Sequence, residues 1–108
     1  MNKIAILNDK LRQNIFNSGK DRVILTQDVS NLPFDEQLRI LIKVKLFNNF
    51  NAGNDVYQEH DFGMIEHSEL KYFFKIDYYD NSLEYASENP ADENITTRIL
   101  TIMRADEY

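Results

Sequence analysis

The sequence predicts an α+β domain in which two helices pack on one face of a mainly antiparallel sheet, in the order α-β-α-β-β-β. Three observations predict it. Apolar residues recur every three or four positions in residues 3–17 and again in 34–47. Leu70–Asp80 alternates between an apolar face and one that carries Lys71, Lys75 and Asp77. Glycine, proline and asparagine stand between these segments.

The first helix follows from Ile4, Leu7, Leu11 and Ile15, which line one face, with Asn8, Lys10, Arg12 and Gln13 placed largely elsewhere. Ser18-Gly19 closes it, because glycine takes a left-handed C′ conformation at no steric cost. Residues 22–26, short and β-branched, read as a strand. Asn31-Leu32-Pro33 opens the second helix, where a missing N–H costs nothing, and Asp35 and Glu36 suit the positive end of its dipole. Phe34, Leu38, Ile40, Leu41, Ile42, Val44 and Phe47 cover more than half of its wheel, so this is expected to be the most buried helix. Turn formers at 48–54 end it.

Residues 60–66 read as a strand, with Gly63 marking a bulge or a close backbone approach, and His67-Ser68-Glu69 as a turn. In the next strand Leu70, Tyr72, Phe74, Ile76 and Tyr78 should face the helices, and Lys71, Phe73, Lys75, Asp77 and Tyr79 solvent or a partner. Residues 81–94 lack periodicity and read as a loop with one helical turn. Thr96–Met103 reads as the final strand, Leu100 and Ile102 alternating with Thr97, Thr101 and Met103.

One domain accounts for all 108 residues, and 43% hydrophobic content is that of a folded globule. Without cysteine there is neither a disulfide framework nor a thiolate zinc site. No apolar run reaches the roughly 20 residues of a membrane span, and Met1-Asn2-Lys3-Ile4 begins no secretory signal, so a cytoplasmic location and no membrane partner are expected. Charge is uneven. Residues 1–54 hold eight cations against five acids, and residues 55–108 four against thirteen, so the halves stand at +3 and −9 within a net charge of −6. Such a gradient steers charged partners and keeps the acidic half off bare nucleic acid.

The strings Glu59-His60-Asp61-Phe62-Gly63, Lys75-Ile76-Asp77-Tyr78-Tyr79-Asp80 and Thr96-Thr97-Arg98-Ile99-Leu100-Thr101-Ile102-Met103 resemble a family of short bacterial proteins of unknown function, found in alphaproteobacterial genomes and plasmids. The resemblance extends to the opening helix, to Val23-Ile24-Leu25-Thr26 and to the loop Ser87–Asp92. Asn89 departs from an aspartate and Phe74 from a tryptophan. It implies no activity; its association with mobile elements implies a role in plasmid or phage biology, such as countering host defence.

Each polar cluster carries a reading. Glu59, His60 and Asp61, with His67 seven residues on, are the materials of a metal or acid–base site. On a strand, though, the carboxylates point away from His60, which leaves a strand cap bonded to a buried carbonyl, and no metal or cofactor is expected. Asp61-Phe62-Gly63 is the magnesium-binding tripeptide of protein kinases, but the chain is too short and lacks a glycine-rich loop. Lys75, Asp77 and Tyr79 share a strand face, either as an enzymatic trio or as a polar surface in which Asp77 pairs across strands with Arg98 or Arg104. Glu59, His60, Asp61, Lys75 and Arg98 make up a candidate polar cluster, and no catalytic residue is assigned because nothing marks a nucleophile.

The favoured site is instead Asp77, Tyr79, Asp80, Glu84, Tyr85, Glu88, Asp92 and Glu93, acids with interleaved tyrosines and no cation between 77 and 93. Same-side carboxylates on a strand stand about 6.6 Å apart, close to the phosphate spacing of one nucleic-acid strand. The first expectation is therefore a small non-enzymatic protein that docks on a basic protein surface, a nucleic-acid decoy for a host processing or defence factor. The alternatives are an enzyme using His60, Asp61, Lys75 and Asp77, and a homodimer joined through the Phe73/Tyr79 face or a free sheet edge.

Overall fold

The computed structural model describes residues 1–108. Helix α1 spans Lys3–Gln13, capped by Asn2, whose Oδ1 accepts from the Ile4 N–H at 2.7 Å. It ends four residues earlier than the periodicity predicts. The Asn14 side chain donates to the Lys10 carbonyl at 2.8 Å, a local bond that competes with the next helical turn, and Gly19 turns the chain at a φ of +65°. Ile15 nonetheless stays buried. Asn8 and Arg12, expected largely off the apolar face, are buried with Leu7 and Leu11.

Strand β1 is Arg22–Leu25, followed by an unforeseen single-turn helix α2, Gln27–Ser30, which buries Val29. Helix α3 is Phe34–Leu46, with Pro33 just before it. It is not the most buried helix. Only Ile40 and Val44 are fully covered, while Phe34 (73% exposed) and Leu46 (69%) stand in water. A four-stranded sheet shared with α1 offers a stripe narrower than the apolar sector of α3, so the surplus is left outside.

Strand β2 runs Phe62–His67 and β3 Leu70–Asp80. Residue 60 therefore lies outside the strand, and His67 belongs to it. The hairpin turn is the pair Ser68 and Glu69, both left-handed at φ +52° and +68°. Leu70 begins β3 exposed at the hairpin end instead of packing on the helices. Strand β4 is Thr96–Arg104, followed by a 3-10 turn, Ala105–Glu107.

The sheet order is β1-β4-β3-β2. β1 is parallel to β4, and the other pairs are antiparallel. The inner face, Val23, Leu25, Ile65, Tyr72, Phe74, Ile76, Leu100 and Ile102, packs on Leu11, Ile15, Val29, Ile40 and Val44. Gly63 is a close approach and not a bulge: an added Cβ would collide with the Phe74 ring and come within 2.9 Å of Phe47. The outer face has no helix. Its registered rows are Met64–Phe73–Met103, Phe62–Lys75–Thr101–Ile24, Asp77–Ile99–Arg22 and Tyr79–Thr97. No helix is long and apolar enough to cross a membrane.

Candidate functional site

The polar groups of the Glu59–Asp61 segment tie distant parts of the chain together. Asn8 is its hub. The Asn8 amide donates to the Glu59 carbonyl (2.9 Å) and to the Tyr78 hydroxyl (2.8 Å), while its Oδ1 accepts from Arg98 Nε at 2.7 Å. The Tyr78 hydroxyl donates onward to Glu59 Oε1 at 2.8 Å. Burial pushes the Tyr78 phenol up and the Arg98 guanidinium down from their ordinary values.

His60 sits at a φ of +59° and stacks on Phe50, ring centroids 4.0 Å apart. Its Nδ1 meets Asp9 Oδ1 at 2.9 Å and its Nε2 lies 3.6 Å from Asp55, so it bonds carboxylates and not the buried carbonyl expected of a strand cap. Asp55 Oδ1 accepts the N–H groups of Glu59 and His60, both at 3.0 Å. Arg12 completes the knot. It donates to Asp9 (2.6 Å) and to the terminal α3 carbonyls of Val44 (3.1 Å) and Phe47 (2.7 Å). Burial, and then the charges of Glu59, Asp55 and Asp77, raise the Asp61 carboxyl above the usual range.

His67 is elsewhere, between Glu36 and Lys43, whose Nζ lies 3.2 Å from His67 Nδ1. No three His, Asp or Glu side chains gather as a metal would require. Lys75 and Asp77 lie on the outer face, paired with each other at 3.1 Å, whereas Arg98 and Arg104 alternate to the inner side. The cross-strand pair from Asp77 to Arg98 or Arg104 therefore does not form, and His60, Lys75 and Asp77 do not converge.

The acidic segment is a built loop. Asp80 Oδ1 accepts from Ser82 Oγ (2.7 Å) and the N–H groups of Glu84 (3.1 Å) and Tyr85 (3.4 Å). The Ser82 bond foremost holds the Asp80 carboxyl below its ordinary value. Tyr79 bridges Ala86, and the Ser87 and Thr96 hydroxyls meet at 2.6 Å. Of the eight acid and tyrosine residues singled out, Asp77 pairs with Lys75, Glu93 with Lys10 at 3.5 Å, and Asp92 caps the Asn94 N–H at 3.0 Å. Glu84 and Glu88 make no ion pair and are exposed, and Tyr85 between them is 71% exposed. Tyr79 stays on the outer sheet face opposite Thr97.

Sequence reasoning missed Asn8, Asp9, Arg12, Phe50 and Asp55. The signal for two of them was present: Asn8 stands four after Ile4 and three before Leu11, and Arg12 three before Ile15, both in line with the apolar stripe. It also missed the aromatic trio on the outer face, Phe62, Phe73 and Tyr108, whose rings lie 5.2–5.9 Å apart.

Among known proteins, the family described as "Protein of unknown function (DUF3768)" matches residues 25–107, a span that holds all four strands except the first three residues of β1. No curated protein and no solved structure matches the chain. The match covers most of the sequence, and the chain belongs to the DUF3768 family of proteins of unknown function.

Proposed function

We propose that this protein is a small acidic binding protein that docks through the Asp80–Glu88 loop on a basic surface of another protein. The observation that carries the reading is Tyr85, an exposed aromatic flanked by two unpaired carboxylates on a loop already fixed by the Asp80 cap and the Tyr79–Ala86 bridge. A tyrosine anchor supplies contact area with few rotatable bonds, and a loop ordered before binding loses little entropy on association. The carboxylates supply steering and register. The partner is a nucleic-acid-processing or defence protein, since those present basic grooves to acidic ligands, and the loop competes with nucleic acid for the groove.

The immobilised protein should retain a basic protein from bacterial lysate at low salt and release it as ionic strength rises. The Glu84→Lys/Glu88→Lys variant should lose that retention, and Tyr85→Ala should weaken it at least tenfold. Glu66→Lys/Glu69→Lys, at the β2–β3 hairpin, should leave it unchanged. The retained partner should also release bound nucleic acid when the protein is added. Retention indifferent to salt or to the Glu84/Glu88 change overturns the reading.

A second reading rests on the helix-free sheet face. Phe62, Phe73 and Tyr108 form an aromatic cluster there, and a second copy would cover it. Sedimentation that shows only monomer at millimolar concentration removes this reading.

A further inference from the structure

A cleft opens between the end of α1 and the start of β4, and no residue of the Asp80–Glu88 loop lines it. It has a volume of about 460 Å³, and only Leu7 and Leu11 of its lining are apolar. Arg98 lines it. Arg98 is 2% exposed, yet no carboxylate pairs with its guanidinium. Its partners are neutral: Asn8 Oδ1, the Pro90 carbonyl and the face of the Tyr78 ring, 5.2 Å away. Asp21, Glu93 and Glu59 act on the buried charge only from beyond ion-pair distance, and a buried charge that no carboxylate touches is costly unless something else supplies the opposite sign at close range.

Nη1 of Arg98 donates to no protein group. The one fully enclosed side-chain nitrogen or oxygen lacking a partner is Arg12 Nε, so Arg98 Nη1 is not completely enclosed. Lys10 and Lys20 stand on the same cleft, with the amides of Asn14, Asn17 and Asn94. Two acids also line it. Asp21 is engaged, its Oδ1 accepting the backbone N–H of Arg98 at 2.8 Å. Glu93 holds Lys10 at 3.5 Å, with both side chains more than half exposed, a pair too weak to resist a competing anion. Three cations against two acids leave this cleft positive on a chain whose net charge is −6.

We propose that the cleft binds a phosphate group, seated on Arg98 with Lys10 closing over it in place of Glu93. A guanidinium with a free edge offers the planar donor fork that phosphate accepts, and asparagine amides complete a polar shell. The cleft is larger than a bare phosphate and falls in the range of small-molecule sites, so a phosphomonoester the size of a nucleoside monophosphate fits it. This site does not depend on the docking loop proposed above.

The test is an amide and arginine side-chain NMR titration of the whole chain with inorganic phosphate and, separately, with adenosine monophosphate, ionic strength being held constant with chloride. Saturable shifts should centre on Asn17, Asn94, Thr96 and the Arg98 Nε–H. Saturation by both ligands assigns a free-phosphate site, and saturation by the nucleotide alone assigns a phosphomonoester site. Glu93→Gln should tighten binding several-fold, and Lys10→Glu, at an exposed position that leaves the fold intact, should weaken it about tenfold or more. Arg98→Lys should abolish it, with the variant's spectrum reporting whether it is folded. The absence of saturation by about 10 mM ligand in both wild type and Glu93→Gln overturns the proposal, as do shifts that ignore Lys10→Glu.

Discussion

Arg98 Nε donates to Asn8 Oδ1 at 2.7 Å across 90 positions of sequence, and that bond ties the first helix to the inner side of the central strand β4. Asn8 simultaneously satisfies the Tyr78 hydroxyl and the Glu59 carbonyl. Asn8→Ala strips a buried cation of an acceptor and two buried oxygens of a donor. It should lower stability by about 2–4 kcal/mol, read as a reduced urea midpoint with an unchanged slope. Asn8→Asp should cost less at neutral pH, because a carboxylate beside Arg98 supplies the missing counter-charge.

Gly63→Ala should destabilise by about 1–3 kcal/mol, because the new methyl meets the Phe74 ring edge and the Phe47 ring, both part of the packed interior. Phe74→Leu in the same chain should recover part of the loss. A thermal melt of the two variants checks both statements, and additivity of the two changes would rule the contact out.

The β2–β3 turn places two non-glycine residues in left-handed geometry, Ser68 at +52° and Glu69 at +68°. Asn-Gly is the sequence that a two-residue turn of this hand prefers. The Ser68→Asn/Glu69→Gly variant should gain about 0.5–1 kcal/mol without altering the strands. Chemical denaturation shows the gain, and amide exchange at the hairpin end should slow.

Two carboxyls give opposite pH signatures. Burial first, and neighbouring acids second, raise the Asp61 carboxyl, so its folded form binds a proton more tightly than the unfolded chain does. Its favourable contribution is present below the unfolded carboxyl range and is lost as pH rises through the raised value. Asp61→Asn should therefore be more stable than wild type at neutral pH, with the advantage fading toward about pH 3.

Burial also pushes Glu107 upward, but bonds from the Thr26 hydroxyl and the Asp28 and Arg104 N–H groups outweigh it and lower its carboxyl. Its contribution is present above the unfolded carboxyl range and is lost as pH falls through the lowered value. Glu107→Gln should be less stable than wild type at neutral pH, and the two curves should approach each other in acid. Urea unfolding at a series of pH values reads both signatures.

The parts legible in the sequence were those written in a strong period. β3 is recovered residue for residue because eleven alternating positions leave one register that buries Tyr72, Phe74 and Ile76. α3 was located by its proline and its apolar wheel, but its burial was overread, since a wheel reports what can be buried and not how much sheet is available. α2, four residues long, is too short to show any period. The His60 region was misread as strand because its left-handed backbone is imposed by Asp55, which accepts two N–H bonds, and by the stack on Phe50, partners five and ten residues away. The open edge of the Arg98 guanidinium has no sequence signature at all, because it depends on which side chains fail to reach it.

The parallel pairing of β1 with β4 dictates how this chain acquires its shape. Arg22 is registered against Ile99, so the second structural element has no strand partner until some seventy-seven further residues have been made. During synthesis β1 has α2 beside it and α1 has α3, but the sheet-facing side of both stays unsheltered. Assembly is thus a late, concerted event that waits for one strand, and loop closure of this length places it among slowly folding small domains. Nascent chains stalled before β4 emerges should be open to proteases and holdase chaperones, and released chains should not.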